Sequence, residues 1–255
     1  MENALDPNFV PDEYKVPYDI LELPSQGLLY PNKKSSVKVE YLTAMDENVL
    51  VSPNIMNSGR VLDVLLERKV KDLGFPVEEL LDGDRVALLL FLRSTSFGEE
   101  FKQGVLNKNG DVVEGTINLS ELKQKKLTIN PDENNEFDFE LPKSKKKIKF
   151  RFLNGKDEKD IDEKDEFMKK RFETDISFAL TLKLEKLIME LDGNRDKIYI
   201  SNFIKTMSIL DSRTLTKYIR ENEPGIDFET KARIQGGESV NTFLRLNKSF
   251  FWPEL

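Results

Sequence analysis

The chain has no cysteine and no histidine among its 255 residues. Without them there is no Ser-His-Asp triad, no cysteine nucleophile and no disulfide framework. The usual zinc ligands are missing too, and only a carboxylate-oxygen site for a hard cation stays formally open. The lack of cysteine fits an intracellular setting. Long apolar runs are also lacking. The longest, Val86-Ala87-Leu88-Leu89-Leu90-Phe91-Leu92, falls far short of the roughly 20 residues a membrane helix needs. The N-terminus, acidic and broken by proline, does not read as a signal peptide. No glycine-rich phosphate loop occurs. Nor is there an excess of positive charge. The formal net charge of −7 argues against nucleic-acid binding, because that affinity comes largely from neutralised phosphates.

What is present supports a substantial core. Hydrophobic residues make up 38% of the chain, and 255 residues suffice for one large domain or two modest ones. Five of the eleven prolines fall early, at Pro7, Pro11, Pro17, Pro24 and Pro31. Proline fixes φ and removes a backbone donor, so this stretch is neither an ordinary helix nor a central strand. Between the prolines sit Phe9, Val10, Tyr14, Val16, Tyr18, Ile20, Leu21, Leu23, Leu28, Leu29 and Tyr30. A disordered tail is poor in such residues. Residues 1–31 therefore read as an extended arm that buries its side chains on its own domain or on a partner.

Downstream, the spacing predicts an α+β fold with a helical N-terminal part, a central antiparallel β region and a helical C-terminal part ending in short strands. Residues 32–98 open with a strand at 37–42, followed by a helix capped by Thr43, with Asp46 and Glu47 in its first turn. Val61, Leu62, Leu65, Leu66 and Val70 recur at helical spacing, and a short helix runs from Val77 to Leu81. Asp82-Gly83-Asp84 reads as a turn and cap into a helix over 85–94, apolar on nearly all sides and so the buried centre of this half. Residues 99–155 alternate as strands at 100–106, 111–118, 125–129, 136–141 and 147–153. In the last of these and the turn before it, Lys143, Lys145, Lys146, Lys147, Lys149 and Arg151 alternate with Ile148, Phe150 and Phe152, which describes a charged hairpin face better than an RNA site. Residues 156–255 begin with the charged run Lys156–Lys170, a solvated helix or connector. Helices at Ile176–Leu191, Ile200–Ile209 and Ser212–Asn222 follow. Strand-like spacing then leads to Phe243, Leu244, Leu246 and the closing Phe250-Phe251-Trp252-Pro253.

Carboxylate pairs such as Glu78-Glu79, Glu99-Glu100 and Glu221/Glu223 are expected by chance among 46 acids. Asp82-Gly83-Asp84 lacks the further spaced oxygens of a calcium loop. The residues alone give no catalytic, cofactor or metal site. They describe an α+β protein with interaction-prone ends.

Taken in order, Leu23-Pro24-Ser25-Gln26-Gly27-Leu28-Leu29-Tyr30-Pro31, the run Val37–Pro53, Arg60–Val70 and Leu80–Phe101 resemble the T4-type phage base plate protein family. Later segments around Ile117–Leu122, Phe137–Pro142, Lys147–Leu153, Asp211–Ile219, Pro224–Glu229 and Phe250–Pro253 are similar to longer relatives. The resemblance implies a non-enzymatic protein that helps assemble the baseplate hub of a contractile tail as a chaperone or scaffold. Its partners would be hub or tail-tube proteins, with no nucleic acid, no membrane and no cofactor, and self-association left open. It would act in the cytoplasm of an infected bacterium, or in the virion baseplate if it is a retained subunit. A carboxylate-dependent cell-wall hydrolase is a remote alternative. On this reading the partner-binding residues are Leu23, Pro24, Gly27, Leu28 and Tyr30 in the arm, with Phe251 and Trp252 as a second patch. Gly27 would supply a positive-φ turn that aims Leu28 and Tyr30 in one direction. Longer relatives are expected to carry Cys-x-x-Cys knuckles where this chain has Leu106–Gly110 and Arg233–Gly237. The two turns are therefore expected to pair in space as a metal-free relic of a zinc ribbon.

Overall fold

A computed structural model of the chain describes residues 15–52, 61–246 and 250. Its architecture is α+β. The strand β1 (Tyr18–Glu22) pairs antiparallel with β2 (Ser36–Glu40), which pairs in turn with the short β3 (Val70–Lys71). Alternation in β2 puts Val37 and Val39 inside. Helix α1 (Ala44–Leu50) starts as its sequence predicts. Asp46 accepts from the Thr43 backbone N–H and hydroxyl at 2.9 and 2.8 Å, closing a capping box. Helix α2 (Val61–Lys69) places Val61, Leu65 and Leu66 in the core.

The central helix α3 (Asp82–Phe97) is longer than expected. Asp82-Gly83-Asp84 forms its first turn rather than a preceding cap, and Leu81 takes the N-cap position. The reason lies far away in sequence: Asp84 turns inward to bond Ser25 and Tyr30, which pulls this triplet into the helix. Leu88, Leu89 and Leu92 of α3 enter the main core, and Leu90 packs against a second cluster. The helix is thus the wall between two cores.

The second cluster lies under a four-stranded antiparallel sheet of β4 (Glu100–Leu106), β5 (Val112–Asn118), β11 (Glu229–Ile234) and β12 (Ser239–Phe243), ordered β12-β11-β5-β4. Phe101, Ile117, Ala232, Val240, Leu244 and Phe250 fill it. Phe101 and Phe250 meet edge to face with ring centroids 5.0 Å apart. Gln103 of β4 donates to the Phe243 carbonyl at 2.9 Å and accepts from the Arg245 N–H at 3.1 Å, so one side chain draws the two outer strands together. Two smaller sheets join β6 (Lys123–Lys125) to β10 (Gly225–Asp227), and β7 (Phe137–Glu140) through β8 (Lys147–Phe150) to β9 (Ile188–Leu191). These three of the four sheets cross the division expected at residue 155, since each joins a strand before it to one after it.

The remaining helices are α4 (Gly155–Phe172), α5 (Ala179–Leu187), α6 (Lys197–Thr206) and α7 (Ile209–Asn222). The charged run is helical, with an Asn154/Asp157 capping box at its start. The helix expected through Leu191 stops instead at Leu187, because Ile188 and Leu191 bury themselves against β8 as a strand. Periodicity over so short an apolar run fits either state, and the available sheet edge decides it.

Candidate docking surfaces and an acidic cleft

The arm expected to meet a partner is mostly built into the chain's own core. Successive turns fold residues 23–30 back on themselves, with Gln26 N–H donating to the Leu23 carbonyl and Tyr30 N–H to that of Gly27. Ser25 donates to Asp84 through its N–H at 2.9 Å and its hydroxyl at 2.5 Å. The Tyr30 hydroxyl donates to the same carboxylate at 2.5 Å and accepts from the Leu81 N–H at 3.0 Å. Burial pushes the Asp84 pKa up against these bonds, and burial with the Asp84 charge pushes the Tyr30 phenol up. Leu23, Pro24, Gly27 and Tyr30 are buried and Leu28 is 44% exposed. Gly27 does take a positive φ of 70°, and any Cβ there would lie 2.5 Å from the Lys34 carbonyl. The turn does not aim Leu28 and Tyr30 together. It sends Tyr30 inward and Leu28 out. Phe251 and Trp252 lie outside the described residues, while their neighbour Phe250 is fully buried in the second core.

The arm's exposed apolar surface is on β1. This is an edge strand, with Tyr18 51% and Ile20 71% exposed, and no described strand pairs with its outer side. Lys38 of β2 lies over the Tyr18 ring at 3.8 Å.

The two turns at 107–110 and 235–238 come to the same end of the four-stranded sheet, as β5 and β11 pair through Gly115 and Ile234. An ion pair between Lys108 and Glu238 joins them. The cross-strand pair Leu106 and Val112 is exposed beside them.

Two of the concavities with charged linings are bordered by α4. One, of about 340 Å³, lies between α4, α5, β9 and α6. Its Arg151 is ion-paired to Asp157, Lys186 to Asp160 and Arg195 to Glu136 and Glu190. The basic hairpin is matched in the same way, Lys146 to Asp192 and Lys149 to Asp132.

The other is an acidic cleft of about 700 Å³ between the start of α3, the end of α7 and β10. Its shape depends on glycine. Gly83 presses so closely on the Pro224-Gly225 backbone that a Cβ there would sit 1.8 Å from the Pro224 carbonyl oxygen. Asp82 and Glu223 lie in the cleft with Glu158 of α4. No cation pairs with any of the three within ion-pair distance among the described residues; Lys125, Lys183, Arg220 and Arg245 also line the cleft with Glu221, Asp227 and Glu229, and Lys125 donates to the Arg220 carbonyl at 2.9 Å. The Oδ1 atom of Asp82 is fully buried and receives no hydrogen bond. Burial, then the charge of Glu158 and a hydrogen bond to it, then the charge of Glu223 push the Asp82 pKa up to about 9, against the opposing pull of Lys183. Glu223 is raised to about 7 by burial, opposed by Lys183 and Lys125 and reinforced by Glu158. Sequence reasoning missed this site, because its three acids come from α3, α4 and the residue just past α7, and only the folded chain brings Gly83 against Gly225 to shape it.

No family model, curated protein or solved structure matches this chain.

Proposed function

We propose that this chain is a non-enzymatic assembly factor that docks other proteins, working on the baseplate hub of a contractile phage tail as a chaperone or scaffold. The resemblance of its ordered segments supplies the biological setting. The observation that carries the docking reading is the open edge of β1 with Tyr18 and Ile20 exposed on it. An edge strand with apolar side chains is the surface that accepts an added strand from a partner, with main-chain bonds giving affinity and side-chain pockets giving selectivity. On this reading, hub or tail-tube subunits would have unpaired edges before they assemble, and covering these would hold the subunits apart from wrong contacts.

The test is an affinity pull-down from infected cells. Removing residues 1–31 would delete Ser25 and Tyr30 and unfold the core around Asp84, so the informative comparison is narrower. Tagged wild-type chain is compared with Ile20→Asp, with Leu28→Asp and with a chain lacking residues 1–14. Hub or tail-tube proteins captured by wild type and lost in Ile20→Asp support the reading. Capture unchanged in all three moves the docking site off the arm, and capture of no tail protein overturns the assembly role.

A further inference from the structure

We infer that the open edge of β1 is closed by a second copy of this chain, paired antiparallel across a twofold axis at Ile20. The backbone fixes which groups are free to pair. Tyr41 N–H donates to the Pro17 carbonyl at 3.0 Å, and Leu23 N–H to the Ser35 carbonyl at 2.8 Å. In the unbroken antiparallel register between them, the odd-numbered residues of β1 therefore bond to β2. Tyr18, Ile20 and Glu22 turn their N–H and C=O groups to the outer side, where no described strand lies. Edges are kept from pairing by lysine, by proline or by a bulge. Within Tyr18–Glu22 there is none of these. The edge of β4 is managed differently: it carries Lys102, and Gln103 ties it to β12.

The edge is its own complement. With the dyad at Ile20, that residue faces Ile20 of the second copy, and Tyr18 faces Glu22 of the second copy. These are the three residues with free main-chain groups, so each exchanges both bonds with its opposite. Their side chains share the outer face with Lys38, the cross-strand neighbour of Ile20. The two Ile20 side chains cover each other at the centre. Charge agrees with the same register. The Lys38 ammonium lies 3.8 Å over the Tyr18 ring, and within one copy neither it nor Glu22 has an ion-pair partner among the described residues. Pairing brings Glu22 of the second copy beside Tyr18, within reach of that ammonium, and the symmetry makes the contact twice. A slip of two residues parts both the Ile20 side chains and the Lys38–Glu22 contact.

The inference rests on the proposed function only in using the same edge, and it adds the regulation of that edge. Without a partner strand the edge is held by a copy of itself, so capture of a partner runs through opening of the dimer. Its test needs the purified chain alone. Sedimentation velocity over roughly 1–100 μM should show a monomer–dimer equilibrium. Ile20→Asp sets two carboxylates face to face and should weaken association by roughly a hundredfold. Ile20→Pro is the second variant, since it removes an outward N–H and leaves the bonds to β2 in place; circular dichroism reports whether each keeps the fold. The chain has no cysteine, so Ile20→Cys carries a single thiol. The twofold sets the two Cα atoms at about 5.5 Å, within disulfide reach. Oxidation with copper phenanthroline should give a covalent dimer, whereas Val112→Cys, 73% exposed on the four-stranded sheet, should stay monomeric. A chain that is monomeric throughout, a dimer unchanged in both Ile20 variants, or cross-linking of Val112→Cys as fast as Ile20→Cys would each overturn the inference. A monomeric chain that still captures tail proteins through Ile20 sinks this inference alone, and a dimer that captures none sinks the assembly role alone.

Discussion

Asp46 and Asp82 both sit in the first turn of a helix, and both lie in the fold's interior, yet their surroundings run in opposite directions. Asp46 is fully buried and accepts from Thr43, from Arg68 at 2.9 Å and from Lys69 at 2.5 Å. Burial pushes its pKa up, but the bonds from Lys69, Arg68 and Thr43 outweigh burial and hold it down at about 2. Asp82 has no ion pair with a described cation. Burial and the charges of Glu158 and Glu223 push its pKa up to about 9, against the pull of Lys183. A carboxylate that serves the fold is matched by the fold. The difference lies in the neighbours: cations and N–H donors lower the first acid, and burial beside other acids raises the second.

The sharpest way to break the comparison is to remove the matched acid. Asp46→Ala leaves the buried Lys69 ammonium without its partner, and loss of one member of a buried pair costs about 3–5 kcal/mol. Urea denaturation at neutral pH should show that loss, and adding Lys69→Met should recover most of it. An unchanged midpoint in the single variant would mean that the pair contributes nothing.

The pH dependence separates the two acids by sign. Asp46 has a lowered pKa, so its contribution is present above the unfolded value near 4 and is lost as pH falls from there toward about 2. Asp82 has a raised pKa, so the folded state holds a proton that the unfolded state has released. Its effect is a loss of stability as pH climbs from about 4 toward about 9. Asp82→Asn should flatten that decline. The variant should melt several degrees above wild type near pH 9, at roughly 2–4 °C per kcal/mol for a chain of this size, and together with it near pH 4. Parallel curves across the whole range would place the acid in water rather than in the cleft.

The smallest effect belongs to a pair on the surface. Lys108 and Glu238 bridge the two turns, but their side chains are 76% and 45% exposed, and solvent screens such a pair. Lys108→Ala should leave the melting temperature within error. A clear drop would mean that the turns depend on this bridge rather than on the β5–β11 ladder.

Local chemistry was well written into the chain, and distant chemistry was not. Thr43 and Asp46 announce their helix because a capping box is complete within four residues. The hairpin from β4 to β5 is legible for the same reason, since both strands and the Gly110 turn are contiguous. Ile188–Leu191 reads as helix until β8, about 40 residues earlier, offers its edge. Tyr30 looks like a docking residue because its partner Asp84 lies 54 positions away. The paired turns are a special case. Nothing local announces their pairing; the β5–β11 ladder and the Lys108–Glu238 contact bring them together. The acidic cleft was the least legible, because acids are common in this chain and only the fold shows which of them meet in one cleft.

The four-stranded sheet has a consequence for how the chain is made. Its β4–β5 hairpin leaves the ribosome about 110 residues before β11 and β12. At roughly 5–20 residues per second, that is a wait of about 5–20 s. During that interval the β5 side that later receives β11 is open, and Phe101, Val105 and Ile117 lack the cover of Ala232, Val240, Leu244 and Phe250. A protein proposed to shield the edges of others thus begins with one of its own uncovered, and the closing strands must arrive before a neighbouring nascent chain does.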